Sequence, residues 1–355
     1  MGINRINKDL YLNSFLKEMR YDLLIYLLIG IYTLLTIIYF SINNNLSAMV
    51  YLNYTRAFAV ICLILCPMVA GLVGTIRIIH RLNSRRRLAF RYMFSPKNLS
   101  RFFGGLVLLT AVMVFMGTFT SIKGLLPYGQ GFLYDQWLAD IDHLLHFGVD
   151  PWQHIHTLFG PNVIELVELN YGVVWSALWV IAMCWFAISP GAEKYRLRYF
   201  VCYILTWIIL GNVLAKMFIS AGPAYYGLVT GDDLRFADQL IFFAENNKSA
   251  SSVFHIQAYL WNAYITGTPG LGTGISAFPS VHVGLTTLNA LFFQEIFPRW
   301  AFVAFAYVGI ILLSSVYLGW HYAIDGYVAI VVVYAIYLLM CKVPFTSKGH
   351  RDLVK

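Results

Sequence analysis

Long apolar runs separated by short polar connectors make up most of this chain, and eight of them reach the roughly 20 residues that a membrane-spanning helix needs. They cover residues 22–42, 57–76, 102–121, 170–188, 199–219, 280–297, 300–319 and 321–341. The last three nearly abut, so the spacing predicts a tight turn around Gly319 and Trp320 that leaves His321 at the mouth of the final helix. Two longer connectors differ from the rest. Residues 122–169 carry Leu133, Trp137, Leu138, Ile141, Leu144 and Leu145 at helical spacing, with Asp135, Asp140 and Asp142 between them. That is the pattern of an amphipathic helix lying in a membrane interface. Residues 220–279 hold no span and become glycine-rich at Gly267, Gly270, Gly272 and Gly274. Their length points to a substrate-binding cap, with a disordered connector as the alternative. The pattern therefore predicts an all-α polytopic membrane protein of about eight transmembrane helices. Residues 1–101 form a two-helix membrane segment with a basic loop, 102–341 a six-helix core with an outer interfacial helix, and 342–355 a tail.

Composition agrees with that reading. The 355 residues are 59% hydrophobic and only 12% charged, with a mean hydropathy of +0.67, more apolar surface than a soluble core could cover. The net charge of +8 resides in the connectors, where it sets orientation and does not point to nucleic acid. All but five of the 25 Lys and Arg fall on one side of the predicted topology, the exceptions being Arg56, Lys123, Lys216, Arg235 and Lys248. By the positive-inside rule both termini are cytoplasmic, and the loops after the first, third, fifth and seventh spans face the periplasm, a lumen or the exterior. The first apolar run is too long for a cleaved signal peptide and lacks a small-residue cleavage site, so it reads as an uncleaved anchor. Cys62, Cys66, Cys184, Cys202 and Cys341 lie in apolar stretches without metal or disulfide spacing. The sequons at Asn45, Asn53 and Asn247 face outward and read as chance occurrences.

Two outward-facing segments carry chemistry. The first is Phe278-Pro279-Ser280-Val281-His282, where the glycine-rich loop enters the sixth span, and the free amides of such a first turn attract phosphate. The second runs from Ser314 to Asp325 and places His321 and Asp325 four residues apart. On a helix these two share a face, so the carboxylate can hold one imidazole nitrogen and leave the other as a free lone pair. An acid within a span is expensive, and a positioned histidine supplies a reason for Asp325. Taken singly, each motif also reads as an ordinary cap or a snorkelling polar residue.

Phe-Pro-Ser-x-His followed by Tyr-Leu-Gly-x-His-Tyr-x-x-Asp resembles the second and third signatures of the type 2 phosphatidic acid phosphatase superfamily. Within it, the stretch Tyr134–Asp142 and Gly148–Trp152 is similar to the inositol phosphorylceramide synthase branch, an inositolphosphotransferase, and the likeness covers roughly residues 130–335. The resemblance implies a six-helix phosphatase-like catalytic core and no cofactor. It further implies that His321 attacks phosphorus, that Asp325 orients it, that His282 protonates the departing oxygen, and that Ser280 with nearby amides steadies the phosphoryl oxygens.

Three positions depart from the phosphatase pattern. Ser315 stands where Arg precedes the last His by six residues, Val281 replaces a Gly, and the first signature survives only as Lys216 followed by Gly222-Pro223-Ala224-Tyr225-Tyr226. Loss of a bidentate guanidinium argues against a dianionic phosphomonoester and for a singly charged phosphodiester. Lys216, Arg235, Tyr225, Tyr226 and Ser315 are the further candidates for substrate contact. His143, His146, His154 and His156 fit no common ligand spacing, so no metal is expected. The leading expectation is a membrane phosphotransferase acting through a phosphohistidine, moving a phospho-headgroup such as inositol phosphate from a donor phospholipid to a lipid hydroxyl such as that of ceramide. The alternative is a phosphatase for a lipid phosphate or polyprenyl pyrophosphate with water as acceptor. A lipid transporter or flippase comes third, because ionisable groups cluster at one edge and not at mid-membrane.

Overall fold

A computed structural model describes residues 2–344, except 52–54, 57–58, 61–63, 65–66, 69–70, 73–74, 77–85, 247–251 and 269–271. The described residues are helical throughout their regular structure. Among the described residues, six helices are long and apolar enough to cross a membrane, which makes this an integral membrane protein. They are α2 (Leu23–Ile42), α4 (Pro96–Leu125), α7 (Pro161–Ile188), α8 (Arg196–Met217), α13 (Pro298–Tyr317) and α14 (Ala323–Lys342). Each overlaps an apolar run expected to span. The run at 57–76 lies largely outside the described residues, as do the sequons at Asn53 and Asn247. The run at 280–297 forms α12 (Val281–Ile296), whose 16 residues are fewer than the other spans have.

The chain divides into two compact units, 1–118 with 181–200 and 347–355, and 119–180 with 201–346. This division cuts through α4, α7 and α8. In the first unit, α1 (Gly2–Tyr21) and α2 join a buried charge cluster in which Arg196 pairs with Asp22 and, at 3.2 Å, with Glu18. Arg101 pairs with Glu193. Gly105 lies directly against the backbone, for a Cβ there would come within 2.7 Å of the Ala187 carbonyl oxygen. Small residues at such crossings let helices approach in an environment where water cannot drive them together.

The second unit is built around α12. Its buried residues run almost all round the helix, from Val283 through Leu285 and Leu288 to Phe292, and it packs on both α13 and α14. Gly284 allows this closeness, since a Cβ there would meet Leu210 at 2.4 Å. The connector expected to hold one interfacial helix holds two, α5 (Asp135–Leu145) and α6 (Pro151–Phe159), with Pro151 at a first-turn position. Leu138 and Ala139 of α5 and Trp152 of α6 bury against Phe278, Val316 and Tyr322. Leu138 and Ala139 of α5 thus pack on the protein near the end of α13, while its Trp137, Leu144 and Leu145 stay exposed. Residues 220–279 are not a bare connector: they form α9 (Tyr226–Thr230), α10 (Ala237–Glu245) and α11 (Val253–Thr266), folded over the turn between α13 and α14.

Candidate active site

The residues from Leu318 to Tyr322 link α13 to α14 as a tight turn with Gly319 at φ +68°, a conformation that glycine adopts without strain. Cap residues hold its carbonyls. Gln239 of α10 donates to Val316 at 3.1 Å, Gln257 of α11 donates to Leu318 at 3.0 Å, and the Ala224 amide donates to Gly319 at 3.1 Å. Buried polar backbone must find partners, and here the cap supplies them.

Helix α14 begins at Ala323, with Tyr322 as its N-cap. Asp325 is the third residue of that helix; its Oδ2 accepts the Tyr322 amide at 3.1 Å and meets Nδ1 of His321 at 3.1 Å. The two side chains were expected on one helix face. Instead His321 stands ahead of the N-cap, and the pair closes because a carboxylate at this position folds back over the helix start. Asp325 is fully buried and its Oδ1 has no hydrogen-bond partner among the described residues. Burial and the nearby Lys123 charge push the His321 ring down to about 3, against the Ala277 carbonyl, so the imidazole is neutral at pH 7.

Two aspartates of α5 fix this helix start from outside. Asp142 accepts the Ala323 amide at 2.9 Å with one carboxylate oxygen and the Ile324 amide at 3.0 Å with the other, a bidentate anion on a helix N-terminus. Burial raises its pKa while both amides oppose the rise. Asp135 accepts the Ala221 amide at 2.7 Å, the Gly222 amide at 2.8 Å and the Tyr322 hydroxyl at 2.9 Å. Burial pushes this carboxyl up to about 6, again against its donors.

His282 is the second residue of α12. Ser280 caps that helix, its hydroxyl accepting the Val283 amide at 3.5 Å, while its own amide donates to the Asp325 carbonyl at 3.1 Å. Pro279 thus stands before the helix and not in its first turn. The imidazole of His282 lies between Tyr171, at 4.5 Å and nearly parallel, and Trp175, at 3.9 Å. Trp175 also donates to the Thr286 hydroxyl at 3.0 Å, so α7 grips the start of α12 through one indole.

Both imidazoles open onto one cavity of about 340 Å³, together with Lys123, Glu168, Tyr225 and Trp320. Of the residues expected at the site, His282, His321 and Tyr225 line this cavity and Asp325 stands behind His321. Ser280 is wholly buried, and its hydroxyl caps α12. Lys216, Arg235, Tyr226 and Ser315, the other candidates for substrate contact, lie outside the lining of this cavity. Lys216 donates to the Leu126 carbonyl at 3.0 Å, and the Ser315 hydroxyl to the Leu312 carbonyl at 2.7 Å. Arg235 binds Asp140 at 2.5 Å, Asp150 at 3.2 Å and the Ala139 carbonyl at 2.8 Å, and Tyr226 packs between it and Phe236. Lys123 lines the cavity instead, and Asp135 and Asp142 hold the helix start beside it. A lone lysine at the end of an apolar run looks the same in sequence as one that merely snorkels.

Among the described residues no group of three or more His, Cys, Asp or Glu is placed to hold a metal ion. His143 faces Asp150 at 3.1 Å, His146 faces Tyr327 at 3.0 Å, and His156 contacts the Tyr317 carbonyl at 2.8 Å.

The profile of the PAP2 superfamily matches residues 136–339, a stretch that contains α5 after its first residue, the cap, His282, His321 and Asp325. This chain belongs to the PAP2 superfamily. No curated protein and no solved structure matches it. Members of the PAP2 superfamily are lipid phosphatases and phosphotransferases, and the PAP2 match begins one residue after Asp135, so that the Asp142 clasp falls inside it.

Proposed function

We propose that the chain is a lipid phosphotransferase in which His321 is the nucleophile. The observation that carries this reading is that His321, paired with the buried Asp325, and His282, held between two aromatic rings, open onto the same cavity. With Nδ1–H directed at Asp325, the other ring nitrogen presents its lone pair to phosphorus. The P–N bond forms as the P–O ester bond of the donor lipid breaks, and His282 gives its proton to the departing oxygen. In the second half, a lipid hydroxyl loses its proton to His282 and attacks phosphorus, which releases His321. The resemblance to inositol phosphorylceramide synthases supports inositol phosphate as the headgroup and a ceramide-like hydroxyl as the acceptor.

Purified protein incubated with headgroup-labelled phosphatidylinositol, with and without ceramide, tests this reading, with phosphatidic acid and a polyprenyl pyrophosphate run alongside. A new labelled lipid that appears only with ceramide is the expected result. Release of inorganic phosphate from the last two substrates alone would make the protein a phosphatase. His321→Ala should lose all turnover; wild-type turnover in that variant removes His321 as nucleophile.

A further inference from the structure

Among the described residues, Lys123 is the one Lys or Arg that lines the cavity. It sits in the last turn of α4, where a lysine ordinarily serves the free carbonyls of the helix end. Here that role is filled from another helix, because Lys216 donates to the Leu126 carbonyl just beyond α4 at 3.0 Å. No hydrogen bond or ion pair engages the Lys123 ammonium among the described residues, although it is close enough to both imidazoles to interact with them electrostatically. The glycine-rich loop is laid against the backbone of the same residue: Gly274, at φ +104°, leaves only 3.1 Å between a Cβ and the Lys123 carbonyl oxygen. The position of this lysine is therefore fixed by packing while its charge is left without a partner. A partly buried cation facing a cavity is best matched by a counter-charge bound within it.

We propose that Lys123 is the phosphate-binding residue of this cavity and that its single charge selects a singly charged phosphodiester over a doubly charged phosphomonoester. The inference rests on the reading of His321 and His282 as the reacting pair and adds the group that holds the phosphoryl oxygens between them. A phosphodiester carries one negative charge, which one ammonium matches. A monoester dianion calls for a second cation or a bidentate guanidinium. The position six residues before His321 holds Ser315, whose hydroxyl is turned to the Leu312 carbonyl, and Arg235 is bound to Asp140 and Asp150. Glu168, on the cavity wall with one oxygen on the Val253 amide at 2.7 Å, adds a negative charge that disfavours a dianion further.

The test compares wild type, Lys123→Gln and Lys123→Arg as full-length protein in lipid nanodiscs. The first measurement is the rise in melting temperature caused by inorganic phosphate, which reports anion binding without turnover. The second is kcat/KM for phosphatidylinositol and for phosphatidic acid. Lys123→Gln should lose the phosphate-dependent rise and lower kcat/KM for phosphatidylinositol about 10- to 100-fold, the range for removing a charged hydrogen-bond partner. Lys123→Arg should keep the rise and shift preference toward phosphatidic acid, since a guanidinium suits a dianion. Retention of the phosphate effect or of wild-type kcat/KM in Lys123→Gln overturns the proposal. If Lys123→Gln does not fold, an unchanged substrate ratio in Lys123→Arg overturns it. A wild type that turns over no lipid, yet is stabilised by phosphate in a manner lost with Lys123→Gln, would leave Lys123 as an anion site and remove the phosphotransfer reading alone.

Discussion

Replacing Asp142 by Asn isolates what α5 does for His321, the proposed nucleophile. The carboxylate of Asp142 receives the first two amides of α14, at 2.9 and 3.0 Å, and these precede Asp325 by only two residues and one. Asparagine keeps the shape but presents one oxygen and one NH₂ group. One amide loses its acceptor and faces another donor, and the helix start loses its negative charge. A hydrogen bond to a charged group contributes about 1.5–3 kcal/mol, and a partly buried charge at a helix terminus up to ~2 kcal/mol. Because Asp142 supplies both effects through the same atoms, about 2 kcal/mol is a fair estimate for the loss, or roughly 30-fold in the opening equilibrium of that turn. Hydrogen exchange on a peptide covering residues 318–326 should therefore speed up about 30-fold in Asp142→Asn. Turnover should fall about 10- to 100-fold at little change in KM, because a small misplacement of a reacting group has an effect of that size. Wild-type exchange in this peptide, or wild-type turnover despite faster exchange, would refute the claim that Asp142 holds the His321–Asp325 pair in place.

Three further outcomes follow from the geometry. The His321 ring has its pKa pushed down to about 3, so it keeps its lone pair at any pH well above 3 and would lose it only below. The kcat/KM profile should then show no acid limb from nucleophile protonation near pH 6.5, and a limb at that pH carried by His321 would contradict the placement. Gly222, at φ +93°, has the Trp320 carbonyl oxygen 2.7 Å from where a Cβ would stand, so Gly222→Ala should lower the melting temperature and the turnover together. Arg235→Gln breaks contacts to Asp140 and Asp150 outside the cavity and should destabilise the protein while leaving inhibition by inorganic phosphate unchanged; weakened inhibition would return Arg235 to the site.

The sequence made the two imidazoles and their carboxylate legible because each lies in a short motif at the end of an apolar run. What joins them was hidden by chain separation. Asp135 and Asp142 reach their amide partners across more than 80 and 180 residues, and no local periodicity carries that information. The same holds for Gln239 and Gln257, which look like ordinary polar positions on two short helices and yet hold the turn before His321. The exchange between Lys216 and Lys123 has a different cause. Both are single lysines at the ends of spans, and which one serves a helix end and which one a cavity depends on how α4 and the loop over Gly274 pack. Helix boundaries also misled the reading at one point: a helix-face argument placed His321 beside Asp325, whereas the capping geometry at Tyr322 produces the same pair from outside the helix.

The shortness of α12 has a consequence for the competition between water and lipid. At about 1.5 Å per residue, its 16 residues extend roughly 24 Å, against a hydrocarbon layer of about 30 Å. If Phe297 is set level with one face of that layer, the 15 residues back to His282 end about 7 Å short of the other. A headgroup drawn down to meet it leaves bulk solvent behind, while an acceptor already dissolved in the acyl region needs no such descent. Under the proposed phosphotransfer, membrane thickness then becomes a dial on product choice: thinner bilayers bring the solvent plane down to the histidine and raise the share of hydrolysis, and thicker ones favour exchange between lipids.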